Sequence, residues 1–162
     1  MTEVGQSTAV AVAPAHSASL RVLIITTPSD VHSWNLVFLS LVVRDAGMTC
    51  RIVGPAPQLE EIKSGAVEFD PDIILVSTIN GHGEFEATDV LLALREVCDA
   101  DIPVLIGGIL GVTQESMGRR RSVLLSMGYT EVFEGADLTV DKVRLELEKA
   151  GSSRLASVGG DK

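Results

Sequence analysis

Five short runs dominated by Val, Ile, Leu and Thr recur along the chain: Leu20–Thr26, Thr49–Val53, Asp72–Thr78, Ile102–Gly107 and Thr130–Phe133. The first, third and fourth are almost continuously apolar, the pattern of parallel strands covered on both faces rather than of half-solvated antiparallel ones. Between the runs, apolar residues return every three or four positions, as they do along one face of a helix. These stretches predict helices over about Ser33–Ala46, Pro57–Val67, Glu86–Cys98, Gln114–Met127 and Thr139–Lys149. Leu36, Leu39, Val43 and Ala46 form the inward face of the first, and Gly47 and Gly128 stand where glycine ends helices. Pro57 and the Glu60-Glu61 pair suit the start of the second.

Strand and helix alternate over about 130 residues, and right-handed crossovers then predict an α/β fold. The expected architecture is a flavodoxin-like, doubly wound, five-stranded parallel sheet with helices on both faces, a three-layer α/β/α sandwich. It occupies residues 20–150; residues 1–19, rich in Ala, Ser, Thr and Val without periodicity, read as a disordered leader, and 151–162 as a disordered tail. Sheets of this kind bind ligands outside the carboxyl ends of their strands, where the strand order reverses. Attention therefore falls on three loops, at residues 26–35, 77–84 and 107–113.

Composition narrows the function. Of 162 residues, 13 are Lys or Arg and 22 are Asp or Glu, a net charge of −9, and 46% are hydrophobic. The apolar content supports a packed core. The acidity speaks against nucleic acid as a partner, because binding phosphates needs a Lys/Arg face. The single dense basic cluster, Arg119-Arg120-Arg121, reads as a solvated helix face. No apolar run approaches the roughly 18–20 residues that span a bilayer, and no basic segment precedes the Ala/Val-rich stretch as in a secretory signal. No membrane association is expected, and the expected compartment is cytoplasmic. Cys50 and Cys98 lie far apart and outside any C-x-x-C spacing, so both read as reduced core residues.

The first loop carries Ser29-Asp30-Val31-His32-Ser33. An Asp two residues before a His can hold one ring nitrogen and leave the other free as a metal ligand, although an Asp at a helix start beside a surface His fits the same three residues. The other two loops are small-sided: Ser77-Thr78-Ile79-Asn80-Gly81 and Gly107-Gly108-Ile109-Leu110-Gly111-Val112-Thr113. Glycine at a strand end serves a tight turn or a close approach, and two such loops on one edge suggest a cavity. A phosphorylated receiver domain needs acidic strand ends, where this chain has Thr26-Thr27 and Ser77-Thr78. With 4% aromatic residues there is little to flank a flavin, and neither GxxxxGK[ST] nor GxGxxG follows the first strand.

Asp30-Val31-His32, Ser77-Thr78-Ile79 and Gly107-Gly108, each at a strand end, resemble the DxHxxG…SxL…GG signature of cobalamin-binding domains. The resemblance covers the whole folded body. Within that family, Asn80-Gly81-His82-Gly83-Glu84 followed by Leu94-Arg95-Glu96-Val97-Cys98-Asp99 is most similar to the small subunits of methylaspartate (glutamate) mutases. The resemblance implies that His32 replaces the cofactor's own dimethylbenzimidazole as lower cobalt ligand, giving adenosylcobalamin bound base-off and His-on, with Asp30 orienting the ring. It also implies that the displaced nucleotide tail enters a slot beside the sheet. Ser77 would bond the tail, Thr78 and Ile79 would line the slot, Gly107 and Gly108 would admit it, and residues 109–113 with Gly135 would close the wall. Two positions depart from the signature: Ile79 replaces the SxL leucine, a volume-conserving exchange, and Asn35 replaces the glycine of DxHxxG.

The same resemblance implies a heteromeric enzyme, a heterotetramer in which a large subunit binds L-glutamate and this chain carries the cofactor, the product being threo-3-methylaspartate. No catalytic residue is expected here, since the chain lacks the length for a substrate barrel. Trp34, His82, Glu84 and Phe85 are the expected partner contacts. A corrinoid carrier for another mutase or a methyltransferase, or a cobalamin-binding sensor, remains an alternative that shares the Asp30–His32 loop.

Overall fold

A computed structural model describes residues 19–113 and 116–159. Residues 1–18 of the expected leader, Gln114, and residues 160–162 of the expected tail lie outside the described residues. Among those described, the strands are β1 (Arg21–Thr26), β2 (Thr49–Val53), β3 (Ile73–Thr78), β4 (Val104–Gly108) and β5 (Glu131–Phe133). The helices are α1 (Trp34–Asp45), α2 (Leu59–Phe69), α3 (Gly83–Val97), α4 (Met117–Met127) and α5 (Val140–Gly159). All pairings are parallel and the strand order is β2-β1-β3-β4-β5, the flavodoxin-like arrangement. The order reverses between β1 and β3.

Each strand alternates its side chains between two cores. Leu23, Ile25, Ile74, Val76, Val104 and Ile106 face α2, α3 and α4 and meet Ile62, Leu91, Leu94 and Leu124. Val22, Ile24, Ile73, Leu75, Leu105 and Phe133 face α1 and α5 and meet Leu36, Val43, Val143 and Leu147. The central strands are buried along their whole length, as their continuous apolar runs require. Cys50 and Cys98 are free thiols at the margins of these cores, half-buried rather than central.

Helix ends differ from the periodic pattern where local hydrogen bonding decides them. α2 begins after Pro57, because the Glu61 carboxylate accepts the Gln58 N–H at 2.7 Å and fixes Gln58 as the cap. α3 begins at Gly83, three residues before the predicted start, which puts Glu84 in its first turn. Gly47 (φ +76°) and Gly128 (φ +117°) terminate α1 and α4 in the left-handed region. The tail reading is corrected. α5 continues through residues 151–159, because Gly151 packs on Leu20, where a Cβ would lie 2.4 Å from Leu20 Cδ1, and Arg154 pairs with Asp101. No helix among the described residues is long and apolar enough to cross a membrane.

Candidate functional site

The loop after β1 is held by one buried carboxylate. Asp30 is 0% exposed. Its Oδ1 accepts the His32 N–H at 2.9 Å and meets His32 Nδ1 at 2.7 Å, while its Oδ2 accepts the Ile79 N–H at 2.6 Å. Burial opposes ionisation of this carboxyl, yet the hydrogen bonds from the His32 and Ile79 amides, the His32 ring and Thr78 outweigh it and hold Asp30 below the ordinary Asp value. Asp30 is therefore a charged acceptor, and Nδ1 of His32 carries the proton of their shared bond. The His32 side chain is 48% exposed. In the neutral ring its Nε2 is then an unprotonated lone pair at the strand-end edge, the state in which imidazole ligates a transition metal.

A second set of contacts locks this loop to its neighbour. Ser29 donates through its N–H and its hydroxyl to the Glu86 carboxylate, at 2.9 and 2.8 Å, and Asn80 Nδ2 donates to Ser29 Oγ at 2.7 Å. Val31 and Ser33 are exposed on the rim, as is Trp34, at 83%. These bonds tie the switch-point loop to the loop after β3 and to α3 and leave the imidazole exposed.

Beside it, a cavity of about 220 Å³ opens between the sheet and helices α1 and α5. Ser77, Ile79, Gly107 and Gly108 form its sheet wall; Asn35, Phe38, Leu39 and Val42 come from α1, and Leu138, Thr139, Val140 and Val143 from the start of α5. The cavity exists because Ser77 and Gly107, partners in register, are small where other strand positions on this face carry Leu or Phe. Gly107 admits no side chain, since a Cβ would lie 2.8 Å from Phe133 Cβ. At Gly108, with φ +126°, a Cβ would stand 1.9 Å from the Thr78 carbonyl oxygen.

Several expected residues lie elsewhere. Thr78 follows Ser77 by one position and so faces away from the slot; it is buried, receives a hydrogen bond from Thr27 at 3.2 Å and donates to Asn80 at 3.1 Å. Residues 109–113 do not close the slot either. Leu110 is buried in the opposite core, Ile109 and Val112 are exposed, and Gly111 and Thr113 lie over Arg120. Gly135 packs against Met117 of α4, not the slot. The missed residues, Phe38, Leu138, Thr139, Val140 and Val143, form the far wall of the cavity. Phe38 carried one readable signal, an apolar residue on the face of α1 opposite Leu36 and Val43.

Arg120 corrects the reading of the arginine cluster as solvated. It is 1% exposed, donates to the Thr113 carbonyl at 3.0 Å and to Ser116 Oγ at 3.1 Å, and stands 3.6 Å from Glu84 and 3.4 Å from Glu134. Burial raises the Glu134 carboxyl despite this cation. Arg121 pairs with Glu131 and is half-exposed, leaving Arg119 as the solvated member. Glu84, expected at a partner surface, instead faces Arg120, while His82 and Phe85 are exposed.

Fold and site together define a doubly wound ligand-binding domain: a carboxylate-oriented imidazole stands at the switch point, beside a largely apolar cavity of about 220 Å³. The family model for the B12 binding domain matches residues 20–137, and the chain belongs to that family. It is a cobalamin-binding domain similar to glutamate mutase sigma subunits. It is 28% identical over 130 residues to the glutamate mutase sigma subunit of Halobacterium salinarum, covering 78% of this chain and 87% of that protein. It is also 28% identical over 141 residues to ethylmalonyl-CoA mutase of Methylorubrum extorquens, covering 86% of this chain but 20% of that protein. Among solved structures, a cobalamin-binding protein from Desulfitobacterium hafniense superposes with a TM-score of 0.63 at 16% identity, over 82% of this chain and 60% of that one. At that identity the likeness concerns the fold.

Proposed function

We propose that the chain is the cofactor-carrying small subunit of an adenosylcobalamin-dependent methylaspartate (glutamate) mutase, which rearranges L-glutamate to threo-3-methylaspartate with a large glutamate-binding subunit. The carrying observation is the Asp30–His32 pair at the mouth of the slot. His32 Nε2 would supply a nitrogen ligand to a corrin-bound cobalt, and the slot lined by Ser77, Gly107 and Gly108 would receive its nucleotide tail. Bound adenosylcobalamin supplies a weak cobalt–carbon bond whose homolysis starts the radical rearrangement.

The chain's own residues prepare that chemistry. Asp30 fixes the His32 tautomer and leaves Nε2 free, the candidate cobalt ligand. Ile79, through its amide, ties Asp30 to the end of β3, so the ring and the slot are set by one hydrogen-bonded unit. Ser77, Gly107 and Gly108 would hold the tail in a space walled by Phe38, Leu39 and Val143. The sigma-subunit relative supports the mutase reading, because the match runs through most of that protein's length. The ethylmalonyl-CoA mutase match favours a second reading, the cobalamin-binding part of a different carbon-skeleton mutase.

The test is the spectrum and electron paramagnetic resonance of the chain with cobalamin. In the Co(II) form, nitrogen coupling from isotope-labelled protein histidine is expected in the wild type and absent in His32→Ala. Turnover of glutamate with the large subunit then separates the two readings. Coupling that persists in His32→Ala overturns the assignment of His32.

A further inference from the structure

Asn35 stands where the signature has glycine, and the structure gives it a specific environment. It is the second residue of α1 and lines the slot directly opposite Ser77. Its Nδ2 donates to Ser77 Oγ at 2.7 Å, whereas its Oδ1 is closed off from solvent and accepts no hydrogen bond among the described residues. The surrounding wall is apolar except for Ser77 and Thr139. A carbonyl oxygen buried without a donor carries a standing desolvation cost, so this orientation of the amide is not strongly held. The last side-chain torsion of Asn has a broad energy profile, so the amide can turn its oxygen toward the slot while Ser77, whose hydroxyl both donates and accepts, adjusts its own bond.

Resting on the cobalamin reading above, we infer that Asn35 is a specificity-determining residue of this slot, its Oδ1 accepting a hydrogen bond from a donor on the nucleotide tail of the corrinoid. Glycine at this position cannot make that bond. The donor has two sources of the same chemistry: a hydroxyl of the tail's ribose, or an N–H of its base. Dimethylbenzimidazole, with its glycosidic nitrogen substituted, offers no N–H, whereas adenine offers an exocyclic amine.

The test measures the affinity of wild type and Asn35→Ala for three corrinoids: cobalamin, the analogue with adenine as base, and cobinamide, which has no tail. Ala keeps the start of α1 helical, and equal melting temperatures of the unliganded proteins establish that the fold is intact. If a ribose hydroxyl is the donor, Asn35→Ala weakens both tail-bearing corrinoids about tenfold; if a base N–H is the donor, it weakens the adenine form alone by about that factor. Cobinamide affinity stays unchanged in either case. Unchanged affinity for both tail-bearing forms, a gain in affinity, or an equal loss for cobinamide overturns the assignment. Failure of the underlying reading looks different, because the wild type then shows no His32-dependent binding of any of the three.

Discussion

On the face of the sheet covered by α2, α3 and α4, the strand residues Leu23, Ile25, Val76 and Ile106 pack against Ala87, Leu91, Leu94 and Leu124, and Leu110 fills the strand-end corner. On the other face the corresponding row, Val22, Ile24, Leu75 and Leu105, runs up to Ser77 and Gly107 and stops at the slot. The same strands thus serve two ends. Period-two alternation lets one residue step separate a packed corner from a ligand channel, and the difference resides in a few small side chains rather than in the backbone. Stability should follow the first face and cofactor affinity the second, which makes the contrast open to attack from both sides.

The largest effect is expected on the packed face. Leu94 is 0% exposed, and Leu94→Ala removes buried methyl groups and leaves a void, at a cost of about 3 kcal/mol in urea unfolding. Cobalamin affinity of the folded protein should not change. The reciprocal substitution is Val143→Phe, which puts a ring into the existing cavity. Unfolding free energy should stay within about 1 kcal/mol of wild type, because the added volume enters empty space rather than a filled core, while cobalamin affinity falls at least tenfold. Equal loss of stability in both variants would erase the distinction between the faces.

A finer version uses adjacent residues. Thr78→Val removes a buried hydroxyl hydrogen-bonded to Thr27 and Asn80 and is expected to cost about 1 kcal/mol of stability without altering tail affinity. Ser77→Ala, one residue earlier and on the slot face, should do the reverse. It weakens cobalamin several-fold, leaves cobinamide unaffected, and barely moves the melting temperature.

How much of this was legible in the sequence follows the same alternation. The order of elements, the sheet and the three loops could be read from hydrophobic period and glycine positions, since these are local signals. So could the Asp30–His32 pair, whose partners are two residues apart. Thr78 was misplaced because a motif read as a string ignores that neighbouring strand residues point to opposite faces. The Arg cluster was misread for a related reason: successive helical residues are about 100° apart, so a triplet of arginines must turn one member toward the protein, and Glu84 and Glu134 that receive Arg120 come from distant elements. Phe38 and the residues Leu138, Thr139, Val140 and Val143 meet across the slot only once α1 and α5 pack side by side, a juxtaposition of residues about a hundred positions apart with no local signature.

The smallest effect isolates the carboxylate on which the site is built. Asp30 is held ionised against burial by the His32 and Ile79 amides and the His32 ring, so its folded-state pKa lies below its unfolded one, near 3.8. A carboxyl with a depressed folded pKa contributes stability that is fully present above the unfolded value and is lost as pH falls through the folded one. Asp30→Asn keeps the shape of the side chain and removes the charge, and the other carboxylates largely cancel in the difference between the two proteins. Urea midpoints at pH 5, 4 and 3 should show the wild type more stable than Asp30→Asn at the highest value, with the margin narrowing toward the lowest. A margin that instead widened between pH 5 and 3 would mean that the folded protein protonates Asp30 more readily than the unfolded chain does. His32 Nδ1 would then lose its anionic acceptor, and with it the reason for Nε2 to face the slot mouth as a lone pair.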